Sequence, residues 1–317
     1  MLRWQEDLVE AIHEGDEARA RALLAQQGAR RARPLLGAML AHPDALVRQA
    51  AAFGLGELGG AASAKLLERQ LAIEEARGDY DGSAVAEAIT EALGHLADAG
   101  ARATLVRRLR RLAADRVADP GDVSALAHAL WRRRHPELLP VVRETLELLT
   151  PPASMSLHGL LLLLEKSPEE LRAWLRDASV PVNHKTGVLV VLDAEVPDEW
   201  VSTLPAFIST AHEQVETAER QRGEASYYCE RLFSLLLLHR ERLLPLLLDE
   251  ARSELRTVAR RLVVAPSLNC SSRAAALLPY VGQPEDAALI EAHRPAEPIL
   301  ARVFDDAARA LRGLQDS

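Results

Sequence analysis

Lysine, aromatic residues and cysteine are all scarce in this chain of 317 residues, and each shortage excludes something. Aromatics make up 4% of the sequence while hydrophobic residues make up 48%, so the apolar mass is mostly Ala, Leu and Val. Ala and Leu lead the helix-propensity order, and nothing here favours a sheet of aromatic and β-branched strands. Two cysteines, Cys229 and Cys270, cannot build a disulfide framework and have no metal-ligand spacing. A single bridge between them and two reduced, partly buried thiols both remain open. Basic charge is carried by arginine, the lysines being Lys65, Lys166 and Lys185 alone. The formal net charge of −8 opposes a general attraction to nucleic acid.

Long apolar runs are missing too. Runs such as Gly159 to Leu164 are far short of the ~18 residues that suggest a membrane span. The start, Met1-Leu2-Arg3-Trp4-Gln5-Glu6-Asp7, turns acidic at once and lacks the apolar stretch of a signal peptide, so a cytoplasmic protein is expected.

What the chain has is repetition. Leu55-Gly56-Glu57-Leu58 returns as Leu93-Gly94-His95-Leu96, 38 positions later. Val47, Ala50 and Ala51 match Val85, Ala88 and Ile89 at the same offset. Ala125, Leu126, Ala129 and Leu130 then follow Ala88, Ile89, Ala92 and Leu93 by 37 positions. Each matched segment has helical period and ends at a breaker: Gly59-Gly60, Asp98 to Gly100, or His135-Pro136. A fixed period of this length is the mark of a stacked array of helix pairs.

The stretch Asp44 to Gly59, with Val47-Arg48 followed by small residues and then Leu55-Gly56-Glu57-Leu58, resembles the first helix of a bacterial HEAT-like repeat of the phycobilisome-lyase type. The resemblance covers residues 42–75 best, 80–117 less well, and fades beyond. Ala86 stands where the motif has Arg, and Trp131 where it has Gly. It implies an all-α fold, a single curved α-solenoid of about seven to eight HEAT-like helix pairs. In that expectation residues 1–28 cap the array, 29–150 hold the clearest repeats, and 151–317 hold degenerate repeats and a C-terminal cap. Small residues at the Gly positions would let neighbouring first helices approach closely.

Downstream elements follow from local signals. Ser156 to Glu165 is apolar all round and reads as a buried helix. Ser167-Pro168-Glu169-Glu170 is a capping box opening a helix through Arg176. Lys185 to Leu192 pairs with a long helix from about Asp198 to Arg222, which Pro205 kinks or truly begins. Helices are further expected at Tyr227–His239, Leu243–Arg252, Leu255–Ala265, Ser272–Val281 and Ile299–Leu314.

Catalytic motifs are absent: no Gly-rich phosphate loop, no Gly-x-Ser-x-Gly elbow, no His-Glu-x-x-His. HEAT-like folds include di-iron hydroxylases with repeated His-Glu pairs. Here His13-Glu14 and His212-Glu213 fall at unrelated repeat positions. They also include an alkylpurine DNA glycosylase, for which Trp131, Trp174 and Trp200 would line a base-binding face. Bilin lyases share the Leu-Gly-x-Leu motif without further residues to carry over. His128, His158 and His184 share no repeat register. No catalytic residue, no cofactor and no metal are therefore expected, and the chain reads as a non-catalytic scaffold or adaptor, with an immunity-type inhibitor as one specialised form.

Charge concentrates at Arg102, Arg107, Arg108, Arg110, Arg111, Arg116, Arg132, Arg133 and Arg134. Leu105, Leu109, Leu112 and Val117 share one helix face, and Arg107, Arg108, Arg110 and Arg111 are read as pointing away from it. Solvation against Asp98, Asp115 and Glu144 explains this plainly. The sharper expectation is a binding face made of Arg107, Arg108, Arg111, Arg132, Arg133, Arg134 and Trp131, presented by successive second helices to a protein with an acidic surface. The alternative is a nucleic-acid-binding or glycosylase-like protein using the same patch. Because no segment sustains period-2 alternation, far-UV circular dichroism is expected to be dominated by helix. A spectrum with a strong strand component would overturn the repeat assignment.

Overall fold

In the computed structural model, which describes residues 1–114, 118–217 and 222–313, every regular element among the described residues is helical. The chain groups into two compact units, residues 1–157 and 158–317. Asp115, Arg116, Val117 and Leu314, which entered the expectations above, lie outside the described residues, as do residues 218–221 of the long helix expected to reach Arg222.

The first unit opens with α1 (Arg3–His13), α2 (Glu17–Gln27) and α3 (Ala29–Met39). Three pairs follow: α4 (Ala45–Leu58) with α5 (Gly60–Arg77), α6 (Tyr80–His95) with α7 (Ala99–Ala114), and α8 (Pro120–Arg132) with α9 (Leu138–Leu146). Each first helix starts at an aspartate whose carboxylate accepts from the first turn. Asp44 takes the Leu46 N–H at 2.9 Å, Asp79 that of Gly82 at 2.6 Å, and Asp119 that of Gly121 at 2.7 Å. Asp98 caps α7 in the same way, accepting from Gly100 at 2.8 Å, and among the described residues no arginine pairs with it. At Gly59 the backbone turns to φ 67°, where only glycine is unstrained, and the chain reverses into α5.

Packing inside this unit rests on α4, α6 and α8, which lie against one another far more extensively than α5, α7 and α9 do. The cause is residue size. A Cβ placed on Gly56 would stand 3.0 Å from the Ala92 Cβ and 3.1 Å from its Cα. One on Gly94 would stand 2.8 Å from the Ala129 Cα. The neighbour at each point is backbone, which cannot step aside as a flexible side chain can. Trp131, at the next motif glycine, is buried instead, with the Arg134 guanidinium 4.8 Å from its ring centroid.

Arg48 of the Val-Arg pair is a buried structural group. Its Nε lies 2.8 Å from Glu74 Oε1, and its Nη1 donates to the carbonyls of His42 and Pro43 at 3.0 and 2.7 Å. Gln70 completes the set by donating to Glu74 at 2.6 Å. Both charges are fully buried, so the pair holds only because its remaining polar atoms are met.

The second unit takes in most of α10 (Met155–Glu165), followed by α11 (Pro168–Arg176) with the expected capping box at Ser167. Next come α12 (Val182–Leu192), α13 (Asp198–Val201), α14 (Leu204–Thr217) and α15 (Arg222–Leu238). Of the two alternatives for the helix expected from Asp198 to Arg222, the structure takes the second: the chain breaks at Ser202-Thr203, and Pro205 takes the second position of the helix proper, not a kink inside it. After α16 (Arg240–Leu243), a 3-10 turn over Leu244–Leu246 precedes α17 (Asp249–Val263). The two helices expected at 243–252 and 255–265 are corrected. Ala251, Leu255, Val258, Ala259 and Leu262 form one continuous buried stripe, and no breaker interrupts it. α18 (Leu268–Val281), α19 (Asp286–Ala292) and α20 (Pro298–Gly313) finish the chain. α12, α15, α18 and α20 stack in one layer, α11, α14, α17 and α19 in the other. The run Gly187 to Leu192 is helical and buried throughout.

The repeat reading has a direct check. Gly56→Leu and Gly94→Leu must each push a neighbouring helix aside, at a cost of roughly 1–3 kcal/mol or more. Melting temperatures should fall measurably for both; unchanged values would show that these glycines are not packing contacts.

Candidate functional site: a groove across α4, α6 and α8

The repeat register that brings α4, α6 and α8 together also aligns the residues on their free face. Phe53 and Glu57 on α4 are followed by Glu91 and His95 on α6, each 38 positions later. His128 and Arg132 on α8 come 37 positions after those. Between Phe53, Glu57, Glu91, His95 and Arg132 lies a groove of about 250 Å³, closed at one end by Glu17 and Arg21 of α2. Gly56, Ala88 and Ala92 contribute to its lining, so the small residues that permit close helix packing also leave the hollow.

Its walls carry paired charge. Arg21 lies with its guanidinium carbon 5.6 Å from the Phe53 ring centroid. The same guanidinium reaches Glu57 at 2.9 Å and Glu17 at 2.6 Å. Across the groove Arg132 approaches Glu91 at 3.5 Å. His95 sits between; desolvation in the groove, then the nearby Arg132, pull its pKa below the ordinary histidine value. The imidazole is therefore neutral at neutral pH. One turn before Glu91 on the same helix, Glu87 is pushed the other way, above the usual carboxylate range, by desolvation and by Asp122.

The arginine face is built differently from the expectation. Arg108 does not point to solvent: it is 2% exposed. It lies one i, i+3 step from Leu105 and so falls within the buried stripe of α7. There it donates to the Ala86 carbonyl at 3.1 Å and to the Thr90 hydroxyl, and pairs with Asp122 at 2.7 Å and Glu75 at 3.2 Å. Ala86 is the position where the repeat motif lacks its arginine, and Arg108 reaches it from the second helix. Trp131 is likewise 1% exposed and offers no stacking surface for a base. Both are corrected from binding residues to core residues.

Arg107 and Arg111 do face solvent, yet each meets a carboxylate of α5: Arg107 with Glu68, and Arg111 with Glu75 at 2.6 Å. Arg110 approaches Glu144 and Arg102 approaches Glu137, both at 3.5 Å. Arg132 belongs to the groove, while Arg133 and Arg134 are half-buried at the end of α8. The sequence reading missed Glu68, Glu75, Glu57 and Glu91. The shared register of Glu57, His95 and Arg132 was the signal that could have found the groove.

The second unit brings His158 and His184 together as stacked rings, centroids 6.3 Å apart, where Gly159 crosses closely over Gly187. Among the described residues no three of His, Cys, Asp and Glu form a metal-holding group. Lys185 is buried and donates to the Leu175 carbonyl at 2.6 Å; desolvation lowers its pKa. Cys229 and Cys270 are both free and buried. Burial pushes the Cys270 thiol up to about 12 and raises that of Cys229 further, so neither is a ready nucleophile. No helix among the described residues is long and apolar enough to cross a membrane.

No protein-family model matches the chain, and no curated protein matches it in sequence. The phycobilisome-lyase type of repeat thus finds no support beyond the motif itself, whereas HEAT-like helix pairs fit the structure. Among solved structures the chain is similar to human deoxyhypusine hydroxylase in complex with glycerol. The TM-score is 0.38 at 16% identity, over 92% of this chain and 99% of that one. An engineered protein aligns with a TM-score of 0.30 at 14% identity, over 98% of this chain and 99% of that one. The hydroxylase corrects the expectation that the chain is not an enzyme. At that TM-score the likeness assigns no activity.

The arginines separate in a stability measurement. Arg108→Ala leaves Glu75, Asp122 and Thr90 without their buried partner and should cost about 3–5 kcal/mol. Arg107→Ala and Arg111→Ala break only exposed pairs and should cost about 1 kcal/mol or less. Equal effects in denaturant titration would contradict this placement.

Proposed function

We propose that the protein is a protein-binding helical-repeat module whose recognition surface is the groove across α4, α6 and α8. The observation that carries this reading is the register. Three successive first helices present Glu57, His95 and Arg132 at equivalent positions around one hollow, with Phe53 and Glu91 matched one turn earlier on the first two. Stacked repeats use such surfaces to hold extended partners, because each repeat adds one set of side chains in line. An aromatic face, neutral imidazole and charges of both signs provide apolar contact at the centre and polar contact at the rim. The arginine face is the weaker surface, since Glu68, Glu75, Glu137 and Glu144 already meet its guanidiniums.

Affinity capture from native lysate distinguishes the two surfaces. Phe53→Ala combined with Arg132→Ala should lose the partner recovered by the unmodified protein, with helical circular dichroism retained. Arg107→Glu combined with Arg111→Glu should keep it. The reverse pattern would return the binding site to the arginine face and overturn the groove.

A further inference from the structure

The groove already holds one guanidinium, that of Arg21. Its planar group lies over Phe53 and between the carboxylates of Glu17 and Glu57, the arrangement that recognises an arginine side chain through its face and its edge together. We propose that this wall of the groove receives a basic side chain, arginine first, from a partner segment, and that Arg21 occupies the place in the free protein. The inference rests on the groove reading and names its ligand chemistry.

Charge complementarity points the same way. Glu17, Glu57 and Glu91 face the hollow against Arg21 and Arg132, so the lining carries one negative charge more than positive. His95 adds no positive charge, being neutral there. Glu91 is the least committed of the three: its side chain is 60% exposed and Arg132 stands 3.5 Å away. The chain as a whole carries −8, which steers a basic partner inward. Arg21 is held by exposed pairs, which bind weakly, so an incoming guanidinium can take over its contacts. The aliphatic stem of the incoming side chain would lie along Ala88, Ala92 and Gly56, the small residues of the lining. This replaces the acidic partner expected from the arginine face with a basic one, because that face is neutralised from within.

A display library of random dodecapeptides, selected on the immobilised full chain, tests the inference. Recovered peptides are then titrated by fluorescence anisotropy. Selected peptides should be rich in arginine, and changing that arginine to norleucine should abolish binding. Glu57→Gln and Glu91→Gln should each weaken binding roughly tenfold, as expected for loss of one partner charge. Arg21→Ala should tighten it several-fold, up to about tenfold, by removing the internal competitor. A merely structural Arg21 would give the opposite sign. All these side chains are exposed, so helical circular dichroism should be unchanged. Weaker binding by Arg21→Ala would overturn the competitor role. Acidic or neutral peptides that still depend on Phe53 would overturn the basic ligand and leave the groove reading standing. Peptides that bind Phe53→Ala as well as the unmodified protein, or no enriched peptides at all, would overturn both.

Discussion

The first unit depends on the direct approach of helix backbones at Gly56 over Ala92 and at Gly94 over Ala129. Removing the side chain at these points lets α4, α6 and α8 sit closer than α5, α7 and α9. Close approach fixes the rotation of each helix relative to the next, since a turn of even one residue would bring a Cβ into backbone. Fixed rotation in turn aligns Phe53 and Glu57 with Glu91 and His95, and these with Arg132. The groove is therefore a consequence of how the core is packed, not an addition to it.

Buried arginine does the complementary work on the other side of the same pairs. Arg48 and Arg108 cross from one helix to the next and bind carbonyl groups and carboxylates there. A guanidinium suits this because it offers five donors in a rigid plane and stays charged when buried. Arg48 carries out the task in the first clear repeat. In the second, where Ala86 stands at that position, Arg108 comes from α7 and donates to the Ala86 carbonyl instead.

This also explains why an arginine-rich stretch on an acidic protein need not be a binding patch. Glu68 and Glu75 lie on α5, one repeat before Arg107 and Arg111, and the pairing closes across the repeat boundary. The free face of α4, α6 and α8 differs in kind: there an aromatic ring lies beneath a guanidinium paired with two carboxylates.

The sequence by itself determined the helical class, the offsets of 38 and 37 residues, and the role of Gly56 and Gly94, because all of these follow from local spacing and residue size. It also placed the capping box at Ser167, a purely local signal. Only the tertiary structure decided which arginines are surface. Arg107 and Arg108 are neighbours in sequence with the same side chain, and what divides them is a rotation of about 100° per residue combined with the carboxylates that other helices supply. The groove was out of reach for the same reason: its residues come from separate helices, and only packing brings Arg21, Phe53, Glu91 and Arg132 around one hollow.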